Sequence, residues 1–190
     1  MGKSFVTIVS GLPRSGTSMM MQAIEAGGIP ALTDNIRKED ADNPKGYYEF
    51  EPVKKTKADS SWVQQAQGKV VKMVYSLLHD LPDDHEYRVV FMQRDIQEVL
   101  ASQKKMLERS GKQGAKVGNE KLVALFNAQL EKFYHWVAEK NNFSIVFIDY
   151  KDMIKEPETQ AEKIAEILGQ SLDKSGFVSA VDPTLYRNRS

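Results

Sequence analysis

The stretch Gly11-Leu12-Pro13-Arg14-Ser15-Gly16-Thr17-Ser18 limits what this chain can fold into more than any other. It follows an apolar run, Phe5–Val9, and opens a helical stretch, Ser18–Ala26. The run is too short for a helix and lacks strict alternation, as expected of a strand buried on both faces of a parallel sheet. Strand, glycine-rich turn and helix in this order have a specific physical use. The glycines let the backbone turn and expose its N–H groups, and the helix start adds partial positive charge, so several donors hold one anion together.

Three further runs read as strands: Val70–Val74, Val89–Met92 and Ser144–Ile148. Between and after them lie helical stretches. One is Ile96–Arg109, and another is Leu122–Val137, where Leu122, Leu125, Phe126, Leu130, Phe133, Trp136 and Val137 recur at helical spacing. A third runs from Glu158 to Leu168, with Ala161, Ile164, Ala165 and Leu168 on one face and Gly169 ending it. Strands alternating with helices predict an α/β fold, a three-layer α/β/α arrangement with a central, mostly parallel sheet. Its length, 190 residues, fits a single domain over 1–190. Pro30–Tyr48 reads as a loop over the sheet edge and Ser110–Asn119 as a basic loop between helices. In such sheets ligands bind beyond the carboxyl ends of the strands.

Lys and Arg total 26, as do Asp and Glu, so no global field favours nucleic acid or an acidic membrane, and an anion site must be local. Cysteine is absent, which excludes disulfides, thiolate metal sites and cysteine nucleophiles. The expected location is the cytoplasm: the N-terminus enters the first strand without a secretory leader, and no apolar run approaches the ~20 residues of a membrane span. Met19-Met20-Met21 reads as core packing under the first helix, and Lys54, Lys55 and Lys57 as a solvated helix face.

The loop has Walker A spacing with one exception. Thr17 stands where the phosphate-reaching Lys would be, and Arg14 is its only cation, which argues against an ATP-Mg²⁺ kinase. Pro13 to Ser18 instead resembles the 5′-phosphosulfate loop of the sulfotransferases, Pro-Lys/Arg-Ser-Gly-Thr-Ser/Thr. The resemblance implies a P-loop NTPase-like fold and a donor, 3′-phosphoadenosine-5′-phosphosulfate (PAPS), held at Arg14, Ser15, Gly16, Thr17 and Ser18, with no metal required. Arg94 at the end of the third strand and Ser102 in the next helix resemble the same family's 3′-phosphate pair. Arg offers a bidentate fork to phosphate and Ser a hydroxyl. Ile148-Asp149-Tyr150-Lys151-Asp152-Met153 is similar to the family's Tyr-Glu-Asp-Leu segment, with Lys151 in place of the Glu, and implies Tyr150 near the adenine. Core packing is an equal alternative for Tyr150, and Asp152 reads as a helix N-cap. The late basic segment implies phosphate contacts from Arg187 or Arg189.

For sulfuryl transfer the resemblance offers Arg14 and Lys72 as cations at the bridging oxygen. It offers no His base, because Val74 occupies the position two residues after Lys72. Asn43-Pro44-Lys45-Gly46-Tyr47-Tyr48-Glu49 resembles a stretch that carries a Glu base in other branches, so Glu49 leads, with Glu51 and His79 behind it. His85 and His135 read as surface or packing residues. The acceptor, a hydroxyl or amine on a small molecule or a carbohydrate, would be enclosed by Asn35–Tyr48, Tyr75–Asp84 and Ser110–Asn119. Two other readings stay open: a small-molecule kinase and a nucleotide-binding module without catalysis.

Overall fold

The computed structural model describes residues 5–34, 36, 46–109, 111, 118–169 and 172–185. Four parallel strands form the sheet: β1 (Phe5–Gly11), β2 (Val70–Lys72), β3 (Glu86–Gln93) and β4 (Phe143–Asp149), in the order β2-β1-β3-β4. The six α-helices among the described residues are α1 (Thr17–Ala26), α2 (Ile96–Arg109), α3 (Asn119–Ala138), α4 (Tyr150–Lys155), α5 (Pro157–Leu168) and α6 (Lys174–Ala180).

Side-chain alternation sends each strand's apolar residues into two cores. Val6, Ile8, Val89 and Phe91 pack with Trp62, Val63, Phe133 and Val137 on one face. Val9, Val90, Met92 and Ile148 pack with α1, α5 and α6 on the other, through Met20, Met21, Ile24, Ile164, Leu168 and Phe177. The result is three layers around a parallel sheet, and the Met19-Met20-Met21 run is buried in it. Each residue carries one backbone donor and one acceptor, and parallel pairing satisfies them where both faces are covered.

The strand order creates a switch point. The chain leaves β1 through α1 toward β2 on one side, and leaves β3 through α2 and α3 toward β4 on the other. Those helices lie on opposite faces, as right-handed crossovers in opposite directions require. Ligands bind in the crevice such a reversal opens. The register sets Gly11 beside Met92 and Gln93 beside Asp149, so the loops after β1, β3 and β4 leave the same edge together.

Several expectations need correction. β4 is not buried on both faces: it is the edge strand, only Ile148 is fully covered, and Phe147 is 39% exposed. β2 stops at Lys72 rather than Val74, after which the chain turns into a 3₁₀ helix, Tyr75–Asp80. The apolar stripe of α3 is fully buried only at Phe133 and Val137, and Leu125 is 50% exposed. Asp149, not Asp152, caps α4: its carboxylate accepts from the Lys151 N–H at 2.7 Å, while Asp152 lies within the first turn. The segment after Pro30 does run along the sheet edge, where the Leu32 N–H donates to the Val70 carbonyl at 2.8 Å. No described helix is long and apolar enough to cross a membrane.

Candidate active site

The loop between β1 and α1 sits over the switch point. Gly11 has φ 143°, and a Cβ there would stand 2.6 Å from the Met92 carbonyl oxygen, so only glycine lets β1 leave this close to β3. Arg14 and Gly16 flank Ser15 with φ 71° and 100°, both in the left-handed region. Alternating handedness turns successive N–H groups toward one concavity. Ser15 closes the turn by donating its hydroxyl to the Leu12 carbonyl at 2.7 Å. Gly16 is the N-cap of α1 and supplies no side-chain cap, so the first amides of the helix, at Thr17 and Ser18, open onto the same concavity. Arg14 holds a left-handed conformation that is uncommon for a residue with a Cβ, a form of strain that concentrates at functional sites.

Around this loop lies a cavity of about 380 Å³. Arg14 donates its Nε to the Ser102 hydroxyl at 3.0 Å, a link between residues 88 apart in sequence. Arg94 donates through Nη1 to the Arg14 carbonyl at 3.2 Å and through Nε to Glu98 at 2.9 Å, and its guanidinium lies 4.3 Å from the centre of the Tyr150 ring. Tyr150 also closes on Gly16: a Cβ at that position would be 2.4 Å from the ring. Lys72 reaches the start of α1, where Nζ donates to Ser18 Oγ at 3.4 Å and to the Tyr47 carbonyl. Three cations from three strand ends, Arg14, Lys72 and Arg94, thus line one cavity.

The base candidates separate by position. Glu49 lines the cavity and lies 3.4 Å from Lys54 Nζ, which Glu51 also binds. Glu51 is exposed outside the lining, at the start of a 3₁₀ helix, Glu51–Lys55. His79 lies outside it too, its ring 4.0 Å from that of Trp136 and 6.2 Å from that of Phe133. Burial of the covered ring face pushes its pKa down, and the neighbouring Asp80 opposes that. Val74, the residue two positions after Lys72, is 39% exposed and lines the cavity. Arg187, Arg189 and the segment Asn43–Lys45 lie outside the described residues.

Sequence reasoning passed over two partners. Glu98 is a buried carboxylate one helical turn from Arg94, and Lys151 meets it at 3.3 Å from the start of α4. An Arg-to-Glu spacing of i to i+4 across the start of α2 was the available signal. Among the described residues no group of His, Asp and Glu is placed to hold a metal ion.

The same architecture occurs in known proteins. The sulfotransferase domain of the Synechococcus PCC 7002 olefin synthase superposes with a TM-score of 0.52 at 11% identity, over 96% of this chain and 86% of that one. Retinol dehydratase, solved with androsterone and the inactive cofactor PAP, superposes with a TM-score of 0.51 at 16% identity, over 92% of this chain and 62% of that one. A sugar kinase from Janibacter sp. HTCC2649 covers 96% of this chain and 98% of its own at 11% identity, with a TM-score of only 0.44. No curated protein matches the sequence significantly. The likenesses to the olefin synthase domain and to retinol dehydratase show a shared fold. The family model described as the sulfotransferase domain matches residues 6–188, nearly the whole chain. The chain therefore belongs to the sulfotransferase family, and it is an enzyme that transfers a sulfuryl group from PAPS to an acceptor.

Proposed function

We propose that residues 1–190 act as one catalytic domain that sulfates a small apolar alcohol or phenol. The convergence of Arg14, Lys72 and Arg94 on one cavity is the observation that carries this reading. Arg14 and the amides of Ser15, Gly16, Thr17 and Ser18 hold the 5′-phosphosulfate. Arg94 and Ser102 hold the 3′-phosphate, and Tyr150, fixed between Gly16 and Arg94, flanks the adenine. Arg187 adds a phosphate contact from the C-terminal segment.

The donor's chemistry matches this set. It carries two anionic groups on opposite sides of a ribose, and the cavity offers cations on both sides of the loop. Glu49 takes the proton from the acceptor hydroxyl as the new O–S bond forms. The S–O bond to the 5′-phosphate breaks, its electron pair stays on that phosphate, and Lys72 and Arg14 stabilise the negative charge that develops there. The reaction needs in-line geometry, and residues fixed on strand ends and a helix start supply it.

The acceptor is placed against the apolar part of the lining, to which Phe50, Val53, Val74, Leu77 and Met106 belong. Phe50 is supported edge-on by Trp62, with ring centres 6.2 Å apart. A sugar would leave most of its hydroxyls unpaired against such a wall, a cost of about 1–3 kcal/mol for each buried polar group. A phenol or aliphatic alcohol pays no such penalty, so these residues favour that class over a carbohydrate.

The test is a thermal shift with 3′-phosphoadenosine-5′-phosphate (PAP), ADP and ATP-Mg²⁺ on wild type and Arg94→Ala, followed by turnover of PAPS with phenols and with sugars. A ligand at a hundred times its dissociation constant stabilises by about 2.7 kcal/mol. The expected result is a PAP response that Arg94→Ala removes, and turnover with phenols. A response to ATP-Mg²⁺ alone would replace this proposal with a kinase, and turnover only with sugars would overturn the acceptor class.

A further inference from the structure

Glu98 is a buried carboxylate for which the proposed chemistry has no use. Its side chain is 1% exposed, on the first turn of α2, and is not itself part of the cavity lining. Burying a carboxylate is costly unless cations and hydrogen bonds compensate it. Here the compensation comes from two elements. Arg94, just before α2, donates Nε to one oxygen at 2.9 Å, and Lys151, on α4, approaches the other at 3.3 Å.

We propose that Glu98 is a positioning residue for the donor, holding the Arg94 guanidinium in the orientation that receives the 3′-phosphate. The inference rests on the assignment of Arg94 to that phosphate. An arginine on a flexible stem loses rotamer entropy when it engages a ligand, and a plane fixed beforehand loses less. The Arg94 plane is fixed from three directions: Nε on Glu98, Nη1 on the Arg14 carbonyl and one face over Tyr150. The first pairs opposite charges, and Glu98 is itself anchored again by a second cation, Lys151. The identity of residue 151 belongs to the same device. A carboxylate at that position would repel Glu98. Lys151 instead completes a chain of alternating charge, Arg94–Glu98–Lys151.

Positioning and plain electrostatics predict opposite signs. A carboxylate near an incoming phosphate repels it, so removing Glu98 as a mere charge would tighten binding of a 3′-phosphorylated nucleotide. Removing it as an anchor would weaken that binding and leave the 5′-side untouched. The experiment measures dissociation constants for PAP and for 5′-AMP, which differ only in the 3′-phosphate, on wild type, Glu98→Gln and Lys151→Met. Wild type is expected to prefer PAP. Glu98→Gln, close to isosteric, is expected to keep its affinity for AMP while the PAP preference falls roughly tenfold, the scale of a hydrogen bond to a charged group. Lys151→Met, at a site 39% exposed where folding is not at risk, should lower the preference severalfold. Parallel loss for both nucleotides, an unchanged preference or tighter PAP binding would each overturn the positioning role. A wild type with no preference for PAP would instead remove the 3′-phosphate assignment on which the role depends.

Discussion

Gly16→Ala tests the local geometry of the donor loop most sharply. Gly16 adopts φ 100°, and an added methyl would lie 2.4 and 2.7 Å from two carbons of the Tyr150 ring. Two separable costs follow. Backbone strain from forcing a Cβ into this conformation is of order 1–3 kcal/mol. Displacing a nearly buried tyrosine adds the penalty of overpacking, again about 1–3 kcal/mol. The sum is about 2–6 kcal/mol, and at roughly 2–4 °C per kcal/mol for a chain of this size the melting temperature should fall by at least about 4 °C. Tyr150 also carries Arg94 on its face, so PAP binding should weaken beyond the loss of stability. The assay is chemical denaturation of wild type, Gly16→Ala, Tyr150→Ala and the double variant. In the Tyr150→Ala background the steric part disappears and the strain remains, so the cost of Gly16→Ala should drop by about 1–3 kcal/mol. An equal cost in both backgrounds would refute the packing of Tyr150 on Gly16, and a Gly16→Ala protein as stable as wild type would refute the loop conformation itself.

Lys72→Met should lower turnover by roughly 10²-fold while leaving PAP affinity within a few-fold, because its proposed role is realised as charge develops; steady-state kinetics beside a PAP titration separate the two. Asp149→Ala removes the α4 cap and should cost about 1 kcal/mol by denaturant melting. Phe133→Ala, at the centre of the aromatic cluster where its ring lies 5.0 Å from that of Phe91, should cost about 3–5 kcal/mol. Alkaline stability follows from Tyr48, Tyr75 and Tyr87, whose phenols burial pushes above the ordinary pKa of 10.0. Above that value the unfolded chain loses protons that the folded chain keeps, so stability should fall as pH rises past 10 and hold below it; Tyr87→Phe should flatten that fall in melts across pH 9–11.

How far the sequence disclosed this arrangement depends on what each signal measures. Periodicity reports burial over many residues, so α2 comes out at Ile96–Arg109 as expected, and the strand cores lie where the apolar runs are. It does not report neighbours. Ser144–Ile148 looks like a central strand because its residues are apolar, yet no described strand pairs beyond it, and Phe147 stays 39% exposed. Short helices carry too few turns to show a period, which hid α4 and α6. The cap was misplaced for a related reason: Asp149 and Asp152 both fit a cap by type, and only the end of β4 decides between them. The donor loop was legible because glycine, arginine and serine there answer local demands of turning and hydrogen bonding. Glu98 was not, because a carboxylate on a helix looks solvated until Lys151 and Arg94 are seen closing over it.

Charge shows the same division between what a sum and a structure can tell. The chain as a whole is neutral, with 26 cationic and 26 acidic residues. The cavity is not: Arg14, Lys54, Lys72, Arg94, Lys105 and Arg109 line it, against Glu49 as the only carboxylate among the described lining residues. A donor with a phosphosulfate and a second phosphate brings negative charge of similar size, so its binding neutralises the cleft locally. Fields of this kind are focused by a low-dielectric cleft and screened over about 8 Å at physiological ionic strength. Affinity for PAP should therefore fall as salt rises. The rate of capture should fall less steeply than for a protein with a strongly positive surface, because the chain beyond the cleft carries the compensating net negative charge and does not draw the nucleotide in.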